Sequence, residues 1–478
     1  MADGWLSGLA GPLQALLGLL VAVTLVPAAA DDYVGWRTDG TGEYPDASPV
    51  ITWSPDENVV WATEMPGSSN SLPIIVGDRL YTCSEPALLL CVDVGSGVIR
   101  WQASNEPADV APPDEVADLE DKTQEFNRLR GELGKVNAEL RKVKKQLQDD
   151  QSNEDLKAQF RELRQKQQQL QAQIKPLAET WYVRPPAHGY NGYSTPTPIS
   201  DGQHVWVIYG NGIAACYDME GNRVWGRFIE KHPHDYGLAT TPVMADGKLV
   251  VHINHLRALD PATGEEIWAQ PEAAWSWGTP WVQEIGGETL IFTCKGDVVR
   301  AEDGEIIASG LGKLEWGSEP MVEDGVLYYI DNQGGDAISR AYRLPETAES
   351  PFEPELLWEA EPNKNRYYAS PIVEDGLIYA VTRHNVLSCL DAETGEIVYE
   401  QDLQMGKGDV FASIVLAGDL LFATHENGTT VIFEPGGEFV EVARNQLGDT
   451  VRSTPVFDGD RMYVRGYEKL WCIGPDAG

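Results

Sequence analysis

Histidine and cysteine bind metals and carry nucleophilic chemistry, so their spacing is the first thing to weigh. Two histidine clusters could share an ion, His252-x-x-His255 and His232-Pro-His234-Asp235. The first lies across a strand-to-strand turn, with no third ligand and no glutamate close by in sequence. It therefore reads as structural rather than as a zinc site, which needs three or four ligands. No Gly-x-Ser-x-Gly elbow, phosphate loop or Cys/His pair at catalytic spacing occurs. Nothing in these motifs points to acyl or phosphoryl transfer. Six cysteines would permit disulfides in an exported chain, and the elements that carry them decide how they are read.

Those elements come from a repeat. The clearest copy is Ala258-Leu-Asp-Pro-Ala-Thr-Gly-Glu-Glu-Ile-Trp268, followed by Cys389-Leu-Asp-Ala-Glu-Thr-Gly-Glu-Ile-Val-Tyr399, with looser copies at Cys91 to Trp101 and Cys216 to Trp225. A period near forty residues with strand-like content signals a propeller or solenoid. Each unit opens at a proline: Pro73, Pro196, Pro242, Pro280, Pro320, Pro371, then Ile414, then Pro455. The steps from Pro196 are 46, 38, 40, 51, 43 and 41 residues, while the first is 123. Eight units follow, one holding a large insertion.

Within the third unit, Thr241 to Met244 begins an inner strand, Lys248 to Ile253 a second and Leu256 to Leu259 a third. The Thr263-Gly264 turn leads into Glu266 to Trp268. Gly at that turn supplies a positive φ without a Cβ clash. Trp268, four residues on, offers a large apolar face to the next blade. Units four and seven lack the aromatic and are expected to make the weaker contacts. The eighth unit stops at Cys472, and Glu57-Asn-Val-Val-Trp61 has the outer-strand pattern it lacks. The expected fold is all-β, an eight-bladed propeller of four-stranded blades closed by the N-terminal strand, since closure removes exposed strand edges. Cys91, Cys216, Cys389 and Cys472 take the slot of Ala258, and Cys83 and Cys294 share another. Equivalent slots lie too far apart around a ring to be bridged, so the cysteines read as small buried hydrophobes.

Over roughly residues 50 to 475, apart from the insertion, the chain resembles the PQQ-like β-propeller repeat family. That family's repeat has the form Ala-x-Asp-x-x-Thr-Gly-x-x-x-Trp. It includes the BamB lipoproteins of outer-membrane assembly and the quinoprotein alcohol dehydrogenases. For the dehydrogenases the resemblance implies PQQ and Ca²⁺ over the central channel, usually beside a vicinal Cys-Cys disulfide, and often a haem. This chain has no adjacent cysteine pair and no Cys-x-x-Cys-His motif, so their ligands are not carried over. The BamB-like expectation is a scaffold without a cofactor, PQQ with Ca²⁺ belonging only to the alternative. One scaffold hosts many activities, so the resemblance speaks for fold more than for function.

Residues three before each opening proline should crowd one mouth of the channel. By this register they are Asn70, Tyr193, Ala239, Trp277, Gly317 (next to Trp316), Tyr368, Phe411 and Arg452. An aromatic-rich mouth holding one arginine suits a peptide strand, a sugar or a planar ligand. Tyr193, Trp277, Trp316, Tyr368, Phe411 and Arg452 are the candidate ligand- or partner-binding residues there. The plainer reading is that these aromatics only plug the channel.

Between Trp101 and Tyr190 the composition changes. Leu119, Lys122, Phe126, Leu129, Leu133, Val136, Leu140, Val143 and Leu147 form one heptad seam. Leu156, Phe160, Leu163, Gln167, Leu170, Ile174 and Leu177 form a second. The pattern predicts an inserted antiparallel α-helical coiled-coil hairpin, an arm of about 50 Å at 1.5 Å per residue. Arg141, Lys142, Lys144 and Lys145 make a basic cluster near its tip, either a solvated face or a partner-docking point. The domain reading is 1–30 N-terminal segment, 31–108 closing strand and first blade, 109–182 hairpin, and 183–478 blades two to eight.

The formal charge is −38, from 74 acidic and 36 basic residues. Asp114 to Ala178 holds 13 of each sign, so the propeller carries the excess. Such a surface repels nucleic acid and anionic membranes. Leu13 to Val26 is apolar and is followed by Ala28-Ala29-Ala30, which reads as a signal peptide, although no Lys or Arg precedes Arg37. The alternative is an uncleaved anchor from about Leu6 to Val26, near the ~20 residues a span requires. Without a cysteine near the cleavage point, the lipid attachment of the BamB lipoproteins is not expected. Both readings place the propeller outside the cytoplasm, in the periplasm or cell envelope. Three functions are in view. The preferred one is a non-enzymatic scaffold for envelope proteins or peptides, with membrane contact at most through the N-terminal segment. The others are a PQQ-dependent oxidoreductase and a periplasmic small-ligand or sensor module.

Overall fold

The repeat phrase folds as the outer half of a blade. In the computed structural model, which describes residues 33–335 and 337–475, the third blade runs Val243–Ala245, Lys248–His252, Leu256–Leu259 and Glu266–Gln270. All its pairings are antiparallel. Ala258 lies opposite Trp268, with a register shift just beyond it, so the bulky indole crosses a small residue. Lys248–His252 is buried along almost its whole length, whereas in the outer strand Glu266–Gln270 only Trp268 is buried.

Eight such sheets form the ring. The sequence-predicted closing strand is Val59–Glu64, which pairs antiparallel with Lys469–Ile473 and sets Trp61 opposite Cys472. First and last parts of the chain thus share one blade. The propeller is mainly β, and its two long helices pair as a hairpin.

The outer-strand tryptophan and the Thr-Gly turn prove to be two halves of one contact. Trp225 of blade two lies on the Gly264 turn of blade three, and its indole N–H donates to Pro261 O at 2.8 Å. Gly264 has φ +70°, and a Cβ there would stand 2.6 Å from the indole. Glycine is needed for the turn and for the space. Trp61 meets Gly97, Trp101 meets Gly221, Trp268 meets Gly304 and Trp358 meets Gly395 in the same way. The outer strands of blades four and seven offer no aromatic, and other segments fill those seams. Ala348 and Phe352, on a loop of blade five, pack into the core beside Phe292. Tyr44 and Trp53, from the N-terminal segment, join Phe422 and Phe457 between blades seven and eight.

The structure corrects the register of blade two. Its inner strand is Ile199–Ser200, so the opening proline is Pro198 rather than Pro196. Backbone hydrogen bonds make the assignment clear. Leu72 N donates to Thr197 Oγ1 at 3.1 Å, Thr197 N to Thr241 Oγ1 at 3.1 Å, and Thr241 N to Thr279 Oγ1 at 3.2 Å. Thr197 therefore occupies the slot of Thr241 and Thr279.

The N-terminal segment also seals the channel, which the repeat did not foretell. Glu43–Tyr44 adds a parallel fifth strand to the inner edge of blade seven. Arg37, 1% exposed, pairs with Glu319 at 2.8 Å and donates to Pro371 O and Ile414 O at 3.1 Å each. Glu319 stands where every other blade but the first, which has Leu72, carries Thr or Ser. Burial lifts its carboxyl above the usual carboxylate range, and Arg37 opposes the shift.

Val116–Asp149 and Glu154–Ala178 form the hairpin, capped at its turn by Asn153, whose side chain accepts from Leu156 N at 3.0 Å. Leu129, Val136, Leu140 and Leu170 make its dry seam, and Gln167 donates to Asn137 at 2.7 Å within it. At the base, Trp181 packs on Phe228 of blade two. The N-terminal segment expected to direct export, residues 1–30, lies outside the described residues. Among those described, no helix is long and apolar enough to cross a membrane.

Candidate functional site

With blade two in register, the residue three before its opening proline is Thr195, not Tyr193. Asn70, Thr195, Ala239, Trp277, Gly317, Tyr368, Phe411 and Arg452, one from each blade, then all line a single cavity of about 210 Å³ at the channel mouth. Trp316 lines it too. Tyr193 does not: its hydroxyl donates to Pro185 O at 2.8 Å, and it faces a separate space beneath the hairpin. A slip of two residues moved that prediction to the wrong side of the loop.

The mouth is walled by a closed circuit of rings. Tyr190 meets Tyr236 at 6.1 Å between centroids, Tyr236 meets Trp277 at 6.3 Å, and Trp277 stacks on Trp316 at 5.6 Å with planes 1° apart. Trp316 meets Tyr368 at 6.4 Å, Tyr368 stacks on Phe411 at 5.0 Å, and Phe411 returns to Tyr190 at 6.1 Å. These spacings suit edge-to-face and offset contacts. The two indoles are fixed from behind. Trp277 Nε1 donates to Gly237 O at 3.0 Å. Trp316 Nε1 donates to Gln333, whose amide donates to Asp331 at 3.0 Å. Burial pushes the Asp331 carboxyl up to about 6. Trp36 and Leu72 also line the cavity.

Three guanidiniums border the rings. Arg366 lies 4.0 Å from the Trp316 centroid and Arg452 4.6 Å from that of Phe411, both within cation–π range. Arg383 donates to Tyr368 Oη at 3.2 Å, and Arg366 approaches the same oxygen at 3.4 Å. Arg452 is neutralised by Glu426 through contacts of 2.8 and 3.0 Å. Tyr190, Tyr236, Arg366, Arg383 and Trp36 escaped the sequence reading. Arg366 alone carried a signal, standing two residues before the aligned Tyr368.

The other candidates fall elsewhere. Arg141, Lys142, Lys144 and Lys145 are all exposed on the first long helix. Arg141 and Lys144 border a shallow groove with Phe160 and Arg164. His252 is buried, its pKa lowered to about 4 by desolvation, with Nε2 3.3 Å from Ala273 O. The glutamate that the sequence lacked near His255 arrives from another blade: Glu230 contacts His255 Nδ1 at 2.8 Å and Arg257 at 3.1 Å. Among the described residues no group of three His, Cys, Asp or Glu is placed to hold a metal. All six cysteines are buried and unbridged, and burial raises every thiol, that of Cys83 to about 11.

Repeat, ring closure and central mouth together define the class: the chain is an eight-bladed β-propeller. A family profile described as outer membrane protein assembly factor BamB matches residues 323–472. The chain is 24% identical over 288 residues to the outer membrane protein assembly factor BamB of Moranella endobia (strain PCIT), covering 55% of this chain and 68% of that one. In fold it is similar to BamB from Moraxella catarrhalis, with TM-score 0.53, 11% identity, and coverage of 88% of this chain and 98% of that one. The quinohemoprotein alcohol dehydrogenase ADHIIG of Pseudomonas putida HK5 gives TM-score 0.51 at 12% identity, over 90% and 78% of the respective chains. At such identities the structural likeness speaks for the fold alone.

Proposed function

We propose that this protein is an exported, non-enzymatic propeller scaffold that holds partner proteins at the cell envelope, with the aromatic mouth as its main docking point. The observation that carries this reading is the closed circuit of six rings around a cavity to which every blade contributes. Aromatic and arginine anchors at a desolvated centre dominate binding energy in protein interfaces. The likeness to an outer membrane protein assembly factor supports protein partners and an envelope location. Export itself rests on the N-terminal sequence.

The test is capture from envelope extracts by the wild type, by Trp277→Ala/Trp316→Ala and by a variant reversing the four hairpin charges. Loss of about 2 kcal/mol or more of binding, near thirtyfold, is expected for the mouth variant if it folds with unchanged melting. Full capture by both variants overturns the reading.

A second reading, PQQ-dependent oxidoreductase, is favoured by the stacked Trp277 and Trp316 under Arg366, a seat for a flat anion. The rest of the site fits such a group poorly. Two carboxylates beside the mouth's arginines, Glu426 and Asp409, already face Arg452 and Arg383. The cavity of about 210 Å³ is below the roughly 300–1,000 Å³ usual for small-molecule sites. No step is therefore assigned to a quinone. An absorbance titration with PQQ and Ca²⁺ that showed a saturable bound spectrum would reverse this preference.

A further inference from the structure

We infer that the mouth selects a carboxylate: its occupant is a peptide segment carrying an acidic group beside an aromatic or apolar ring. This rests on the mouth being the partner site, and adds what the site recognises. Three guanidiniums, those of Arg366, Arg383 and Arg452, border one small cavity in a chain of net charge −38. Two carboxylates answer them. Glu426 holds Arg452 at 2.8 Å, and Asp409 lies 3.8 Å from Arg383, a distance it also keeps to His384. Arg366 has no carboxylate within ion-pair distance among the described residues. It is held by the Trp316 face and by Tyr368 Oη. A planar fork preorganised on a ring, beside a second guanidinium at the same hydroxyl, matches the geometry of a carboxylate.

Size narrows the class. About 210 Å³ is too little for a large cofactor and suits one bulky side chain or a chain end. A flat ring entering the circuit places a neighbouring carboxylate at the rim, where Arg366 and Arg383 stand. A sugar without charge leaves the Arg366 guanidinium unanswered. The carboxylate can belong to a chain terminus or to an acidic side chain, and the two are separable.

The experiment titrates the full protein with three probes, following tryptophan fluorescence and calorimetry. They are N-acetyl-Gly-Gly-Phe as the free acid, its C-terminal amide, and amidated N-acetyl-Gly-Asp-Phe-Gly. The free acid should bind about tenfold or more tightly than its amide, as expected for losing a hydrogen bond to a charged group. Arg366→Gln should erase that ratio, and Arg383→Gln should reduce it with the melting temperature unchanged. If the amidated Asp peptide equals the free acid, the source is an acidic side chain; if it behaves like the amide, the source is a chain terminus. Equal binding of acid and amide, a ratio that survives Arg366→Gln, or no binding by any probe at millimolar concentration overturns the inference. In those cases, loss of capture by Trp277→Ala/Trp316→Ala still upholds the mouth as docking point, so the two readings fail separately.

Discussion

The channel mouth and the basic stretch of the hairpin are both partly exposed and both carry arginine or lysine, yet they are built on opposite terms. Every blade contributes a residue to the mouth, and its floor is held by the buried Arg37–Glu319 pair, with contacts reaching blades five, six and seven. Arg141, Lys142, Lys144 and Lys145 stand on a helix supported mainly by the facing helix. Changing a mouth residue perturbs rings fixed from several directions, while changing a hairpin lysine perturbs water. A preorganised surface loses less entropy on binding than a mobile one. For that reason the mouth is the stronger site, although the hairpin has the more obvious charge.

The largest effect should come from the floor. Arg37→Ala leaves Glu319 buried without its cation, and breaking a buried pair costs about 3–5 kcal/mol. Thermal unfolding should show a large fall in melting temperature, with the joint Arg37→Met/Glu319→Leu variant recovering much of it. If Arg37→Ala melts like the wild type, the floor does not brace the mouth and the contrast with the hairpin collapses.

Glycines sharpen the contrast by sign. Gly264→Ala forces a Cβ into a left-handed turn and toward Trp225, costing about 2–4 kcal/mol from the backbone and overpacking together. Gly131 lies inside a helix with nothing within 4 Å of a Cβ. Gly131→Ala should raise helical stability by about 1 kcal/mol, read by far-UV circular dichroism during melting. The same substitution should thus weaken the ring and strengthen the arm; equal signs would deny that the two are differently built.

A smaller effect depends on pH. Asp331 stands behind Trp316 through Gln333, and its folded pKa of about 6 exceeds the ordinary 3.8. Its contribution to stability is therefore fully present below about pH 3.8 and is lost as pH rises through about 6. Asp331→Asn removes that titration. It should stabilise the fold relative to wild type by on the order of 1 kcal/mol at neutral pH and above, with the gain vanishing in acid. An advantage that does not change with pH would show that Asp331 is not the group being titrated.

The ring was legible because its period is enforced by packing. Trp225 needs Gly264, and Trp101 needs Gly221, so the Gly-x-x-x-Trp spacing records a physical contact between blades. Trp61 and its closing strand were readable for the same reason. The mouth was readable one residue per blade, except where Pro196-Thr197-Pro198 offered two equally good openings. The hydrogen bonds that tie Thr197 to Leu72 and to Thr241 distinguish them, and no local pattern encodes those contacts. Tyr190, Tyr236 and Arg383 come from loops whose lengths differ between blades, so no alignment of repeats could place them. Arg37 finds Glu319 across 282 residues, beyond the reach of any periodicity.

The smallest effect on stability, and the sharpest test of the comparison, is the hairpin charge reversal. Arg141, Lys142, Lys144 and Lys145 are exposed, and substitutions at such positions usually stay within about 0.5 kcal/mol. Changing all four to Glu should leave melting nearly untouched. If the mouth dominates, capture of partners should fall little in this variant. It should also respond weakly to salt, because exposed charges are screened beyond about 10 Å at 0.1 M ionic strength while contacts in a desolvated pocket are screened far less. If capture instead disappears on reversal and fades as salt rises, the hairpin is the recruiting surface. The closed aromatic circuit would then be a plug that packs the channel, since Trp277 and Trp316 stack on one another whether or not a ligand ever meets them.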